Sequence, residues 1–106
     1  MAKILVVDDD QGMRELLEIM LTEEGYRVST AGDAGKALAR CRKETFDLII
    51  TDLKMPKMDG ITFLRILQQH RPMPVVVVSS ISVAGSQAAL KALEAGAVDV
   101  MAKPSS

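Results

Sequence analysis

The sequence predicts an α/β domain built on a doubly wound, five-stranded parallel sheet with helices on both faces. Three observations predict it. Apolar runs of strand length alternate with stretches of helical periodicity along all 106 residues. The runs "KILVV" and "PVVVV" are almost continuously apolar, as strands covered on both faces are. Gly, Pro or acidic residues punctuate most changes of period. The length suits one domain with one core.

The elements follow in order. "KILVV" (3–7) is the first strand. Met13, Leu16, Leu17, Met20 and Leu21 then form one helical face, and Gly25 is a candidate to end that helix. Residues 26–30 alternate as a second strand, and 33–44 read as a helix with Asp33 near its start and Ala34, Ala37, Leu38 and Cys41 inward. "DLIIT" (47–51) is a third strand, 52–60 a loop marked by Pro56 and Gly60, and 61–70 a helix stopped by Arg71-Pro72. "PVVVV" (74–78) is the fourth strand, 79–86 a loop of small residues, 87–96 an Ala-rich helix, and 98–102 the fifth strand. Strict alternation with right-handed crossovers best fits the flavodoxin-like order 2-1-3-4-5.

Composition excludes several function classes. Thirteen Lys and Arg face fourteen Asp and Glu, a net charge of −1, so nothing global favours nucleic acid or membrane. The aromatics are Tyr26, Phe46 and Phe63, too few for a base- or sugar-stacking surface. Cys41 is the only cysteine, which rules out an intrachain disulfide and suits a reducing cytoplasm; its spacing makes it a small core residue. The amino-terminal apolar run is too short for a signal peptide or membrane span, so the expected location is cytoplasmic.

Polar residues gather at one edge. Strand 1 runs into Asp8 and Asp9, strand 3 into Asp52, strand 4 into Ser79 and Ser80, and strand 5 into Lys103. In a parallel sheet these ends share an edge, and the crevice between strands 1 and 3 is the topological switch point where ligands bind. Three carboxylates meeting there need a cation to stay ionised. Oxygen donors with open positions suit a hard ion such as Mg²⁺. A carboxylate can attack phosphorus to give an aspartyl phosphate, and Lys103 with the Ser79 hydroxyl could hold the transferred oxygens.

These segments resemble the receiver domain of two-component response regulators. "ILVVDDD", "DLIITDLKMPKMDG", "PVVVVSS" and "AVDVMAKP" carry the likeness, in order and at matching separations over essentially the whole chain. The resemblance implies that Asp52 is the phosphoacceptor, that Asp9 ligates Mg²⁺ directly and that Asp8 does so through water or by orienting it. The backbone carbonyl of Lys54 would complete the protein ligands. Ser79 would be the switch hydroxyl, Lys103 would pair with the phosphoryl group, and Pro104 would be a cis-prolyl partner that aims Lys103. The partners implied are a sensor histidine kinase and a downstream effector domain or partner protein, with no direct nucleic-acid or membrane contact. The chain is expected to phosphorylate and dephosphorylate itself but to carry no stand-alone enzyme.

The second half is most similar to the receiver of chemotaxis protein-glutamate methylesterases, through "MPVVVVSS", the longer Gly-containing loop and "ALEAGAVD". The first half looks more like receivers of transcriptional regulators. Two departures stand out. Val100 occupies a position where receivers often have an aromatic, and Val cannot follow the switch hydroxyl by swinging. Receivers also carry a fifth helix after "KP", whereas this sequence stops at Ser106. The expectation is a chain cut before that helix, or a homodimer that covers the apolar sheet face it leaves bare.

Other polar residues have plainer readings. Asp10 is expected at the pocket rim or the start of helix 1, outside the metal shell. Ser80 is a turn residue or a second hydroxyl. Lys54 and Lys57 carry solvated side chains, although Lys54 stands close enough to Asp52 in sequence to screen water. Met55 and Met58 pack the loop, and His70 suits a helix C-terminus. An enzyme alternative is a haloacid-dehalogenase-like phosphatase, whose D-x-D pair Asp8 and Asp10 satisfy with Asp8 as nucleophile. Its missing acid pair after strand 5 counts against it. A non-phosphorylated interaction module with the fold alone is the remaining alternative.

Overall fold

A computed structural model describes residues 1–55, 58–79 and 87–103. Five strands, β1 (Lys3–Val7), β2 (Arg27–Ala31), β3 (Leu48–Thr51), β4 (Val75–Ser79) and β5 (Asp99–Ala102), form one parallel sheet in the order β2-β1-β3-β4-β5. The helices between them are α1 (Gln11–Glu23), α2 (Ala34–Lys43), α3 (Gly60–His70) and α4 (Gln87–Glu94).

Three helices begin on an aspartate for the same reason. The first amides of a helix have no intrahelical acceptor, and an extended Asp just before them supplies one. Asp10 accepts from the Met13 amide at 3.2 Å, Asp33 from Lys36 at 2.8 Å and Asp59 from Thr62 at 2.8 Å. Asp10 is thus the cap of α1, as its expected place near the helix start implied. At the other end of α1, Gly25 takes φ 94°, a left-handed conformation that glycine adopts without a Cβ penalty. The Gly25 and Tyr26 amides then close onto the Thr22 and Leu21 carbonyls at 3.0 and 3.2 Å.

Several predicted boundaries move by a residue. Tyr26 spends its amide on closing α1, so β2 starts at Arg27, whose amide reaches the Ala2 carbonyl. Pro74 has no amide to donate and joins the sheet only through its carbonyl, which accepts from the Ile49 amide at 3.0 Å, so β4 runs from Val75 through Ser79, which pairs with Ala102. Ser79 is therefore in the strand rather than after it. Gly60 joins α3 because Asp59 caps it. The Ala-rich helix, α4, keeps its predicted start at Gln87 but ends at Glu94 rather than at residue 96, and the Gly96 amide bonds the Leu93 carbonyl as it closes.

The core is divided by the sheet. On one face Leu5, Val7, Ile49, Val75 and Val77 pack with Ala34, Ala37 and Cys41 of α2, Phe63, Leu64 and Leu67 of α3, and Ala92 of α4. On the other, Ile4 and Val6 pack with Leu17 of α1, edged by Met13, Leu21, Val28, Leu48 and Ile50. Met20 was expected inward but is 43% exposed. It lies on the flank of an apolar stripe that is wider than the contact centred on Leu17. Register places Val76, Val78 and Met101 on the α1 face, and Met101 is 54% exposed. Val100 lies on the opposite face, beside Val77 and against the main core.

Candidate functional site

The pocket forms where β1 and β3 end side by side. Val7 and Thr51 are register partners, so the next residues, Asp8 and Asp52, emerge together. Their backbones stay tied to the sheet: the Asp8 amide donates to the Ala31 carbonyl at 3.2 Å and the Asp52 amide to the Val7 carbonyl at 3.1 Å. Both side chains are buried, whereas Asp9 is exposed at the mouth. Carboxylate oxygens of Asp8, Asp9 and Asp52 lie within 4.8 Å of one another.

One cation enters from the far side. The Lys103 amide donates to the Ser79 carbonyl at 2.7 Å, which anchors the residue just past β5. Its ammonium reaches back to Asp52 Oδ2 at 2.9 Å and Asp8 Oδ2 at 3.2 Å. Burial alone would lower the Lys103 pKa; the bonds to Asp52 and Asp8 outweigh it and hold the value above the ordinary 10.5. Lys103 is therefore a fixed positive charge.

The three acids are not equivalent. Asp8 accepts from the Asp10 amide at 3.0 Å on Oδ1 and faces Lys103 on Oδ2, so both oxygens have protein partners. Burial pushes its carboxyl above the usual 3.8, and the Asp10 and Lys103 bonds do not fully reverse that. Asp52 accepts from the Lys54 amide at 3.3 Å on Oδ1 and from Lys103 on Oδ2. Asp9 has no hydrogen bond or ion pair among the described residues, so its oxygens remain open to a ligand. Ser79, fully buried, ends β4 at the same sheet edge.

Three contributors have weak sequence signals. Arg14 of α1 donates from Nη1 to the Asp8 carbonyl at 2.7 Å and pins the turn that carries Asp8 and Asp9. Thr51, also fully buried, donates from Oγ1 to the Asp52 carbonyl at 3.1 Å. Gly60 lets α3 approach closely: a Cβ there would fall 2.4 Å from the Asp52 carbonyl oxygen and 2.7 Å from Leu53 Cα. Gly60 reads as a loop marker in sequence, and an Arg on a helix or a Thr in a strand announces nothing.

The plainer readings also meet the structure. Lys54 is exposed, Met55 and Met58 pack against the core, Cys41 is buried, and His70 is the last residue of α3. Pro56, Lys57, Ser80 and Pro104 lie outside the described residues.

Fold and pocket together define a doubly wound α/β domain with an acid cluster and a buried-edge lysine at its switch point. Residues 4–106 match the response regulator receiver domain family, and the chain belongs to it, as a receiver of the two-component type. A protein-glutamate methylesterase/protein-glutamine glutaminase of Anaeromyxobacter dehalogenans is 48% identical over 104 residues, 96% of this chain and 29% of that protein. One from Rhodopseudomonas palustris is 44% identical over the same shares. Among solved structures, chemotaxis protein CheY4 of Vibrio cholerae superposes with a TM-score of 0.91 at 31% identity, covering 100% of this chain and 89% of that one. The chain thus spans under a third of the length of the methylesterases it matches. No helix among the described residues is long and apolar enough to cross a membrane.

Proposed function

We propose that Asp52 accepts a phosphoryl group from the phosphohistidine of a sensor histidine kinase. The observation that carries this is the placement of Asp52 between an open acid, Asp9, and the Lys103 ammonium. A carboxylate oxygen of Asp52 forms the new P–O bond while the P–N bond to the kinase imidazole breaks. Lys103 would pair with the arriving oxygens, and the Ser79 hydroxyl would bond one of them.

The donor set fits Mg²⁺. It is all oxygen and carries up to three negative charges against one ammonium. Asp9 and Asp52, with the Lys54 backbone carbonyl, would hold the ion directly, and Asp8 through water. When bound, Mg²⁺ neutralises charge as the phosphoryl group approaches.

Phosphorylation then biases Ser79 and the segment between β4 and α4, with Val100 too small to relay the change by rotation. The output is an attached effector domain or separate partner, of the methylesterase type that the relatives suggest. The exposed Met101 on the α1 face makes a homodimer through that face a further part of this reading.

Incubation with a small phosphodonor such as acetyl phosphate and Mg²⁺, followed by peptide mapping, tests the core of it. One adduct on Asp52, lost in Asp52→Asn and in EDTA, is the expected result. An adduct on Asp8, or none on the folded chain, would sink it.

A further inference from the structure

The described residues also form a groove outside the acid pocket. It has a volume of about 550 Å³ and follows the β2 edge of the sheet, where β2 lies between α1 and α2, and its Arg14 is the residue that holds the Asp8 carbonyl. Arg14, Lys36, Arg40 and Lys43 line it, and Glu44 is the one acid there. Glu44 is already engaged, by Lys3 at 2.6 Å and Arg40 at 3.3 Å. In a chain of net charge −1, this is a local concentration of positive charge.

The same groove borders an unpaired strand edge. Among the described residues, β2 pairs only with β1. The Arg27 amide and the Ala31 carbonyl bond towards β1, so alternation turns the backbone of Val28 and Thr30 outward, and Thr30 lines the groove. Lys36, Arg40 and Lys43 recur at i, i+4 and i+7, one face of α2. Helical rise puts Lys36 and Arg40 about 6 Å apart along the axis. Alternate residues of a strand are spaced about 6.6 Å.

We propose that this groove binds an extended acidic peptide segment of a partner, which adds to β2 as a sixth strand and sets alternate carboxylates on Lys36 and Arg40, with Lys43 adding positive charge beside them. The backbone edge favours a peptide over a free anion, because only a peptide can use the outward amide and carbonyl of Thr30. Among the described residues no aromatic side chain lines the groove to stack a base, which disfavours single-stranded nucleic acid. Charge on an edge also guards against aggregation, and the experiment must separate that role from recognition.

The test uses a fluorescein-labelled peptide of alternating Glu and Val, about eight residues long. Fluorescence anisotropy at low salt should show binding that weakens about tenfold or more in Lys36→Glu/Arg40→Glu, with the fold checked by circular dichroism. A peptide N-methylated on alternate amides keeps its charge but loses strand pairing, and it should bind the native chain about tenfold more weakly. Amide hydrogen exchange at Thr30 should slow when the unmethylated peptide is bound. Absence of binding, equal binding of the methylated peptide, unchanged Thr30 exchange, or tighter binding of a single-stranded oligonucleotide of equal charge would each overturn the proposal. The methylated-peptide comparison needs no protein variant, so it stands even if the charge reversal unfolds the chain.

Discussion

Lys103 Nζ bridges Asp52 and Asp8, at 2.9 and 3.2 Å, so one ammonium occupies an oxygen of each buried acid. A metal ion must therefore compete with a built-in cation. Lys103→Ala should tighten Mg²⁺ binding in the unmodified chain, by about threefold to tenfold for an interaction of roughly 1 kcal/mol. The same variant should accumulate less phosphorylated protein, because the charge meant for the incoming oxygens is gone. Calorimetric Mg²⁺ titration and acetyl phosphate labelling report the two effects separately. Weaker Mg²⁺ binding in the variant would mean that Lys103 organises the acids more than it competes for them. The raised Lys103 pKa sets its pH range: its contribution is complete below 10.5 and fades as pH rises through the higher folded value.

Asp8 should make the metal-free chain lose stability as pH rises. Its carboxyl is held above 3.8, chiefly by burial. Between that unfolded value and the raised folded one, the folded chain carries more protons than the unfolded chain, so stability falls with increasing pH. Asp8→Asn removes this slope. In EDTA the variant should be more stable than the native chain at neutral pH, and its advantage should shrink as pH falls towards Asp8's ordinary value. Urea unfolding of both chains at several pH values measures it. A difference independent of pH would show that Asp8 ionises as freely folded as unfolded.

Asp10 should behave as a structural acid. Its Oδ1 caps α1 through the Met13 amide, and its own amide holds Asp8. Asp10→Ala keeps that amide and loses the cap, at a cost of about 1 kcal/mol. Mg²⁺ affinity should change by less than about threefold, within the ordinary effect of one exposed charge. Asp9→Ala should instead lose most Mg²⁺ binding while leaving the cap intact. Equal losses from both variants would place Asp10 in the metal shell and refute the division of the triplet.

Much of this was legible in the sequence because it depends on periodicity and topology. Alternation of apolar runs with helical stripes leads to the strand order, and the order brings Asp8, Asp9, Asp52 and Lys103 to one edge. Boundaries shifted where a single hydrogen bond decides: Tyr26 closes α1 rather than opening β2, and Pro74 accepts from Ile49 but has no amide to donate. Met20 fits the helical pattern, but the pattern does not say how wide a contact the sheet offers. Arg14, Thr51 and Gly60 were missed as site residues for a related reason. Each acts on a backbone atom of Asp8, Asp52 or Leu53, and which backbone lies near is a tertiary fact with no local signature.

Gly60 gives the sharpest test of that supporting shell. Its amide donates to the Leu53 carbonyl at 2.8 Å, drawing the start of α3 onto the chain just after Asp52. An added Cβ would sit 2.4 Å from the Asp52 carbonyl oxygen, and a backbone atom cannot step aside as a flexible side chain does. Gly60→Ala should gain a few tenths to about 1 kcal/mol of helix propensity. Overpacking costs about 1–3 kcal/mol, so the net effect should be destabilising. The α3 start or the Asp52 backbone must also move, so Asp52 phosphorylation should slow by more than the loss of folded protein accounts for. Unfolding curves give the first quantity, and labelling rates scaled to the folded fraction give the second. If the variant is at least as stable as the native chain and labels at the native rate, the close approach of α3 does not hold Asp52 in place.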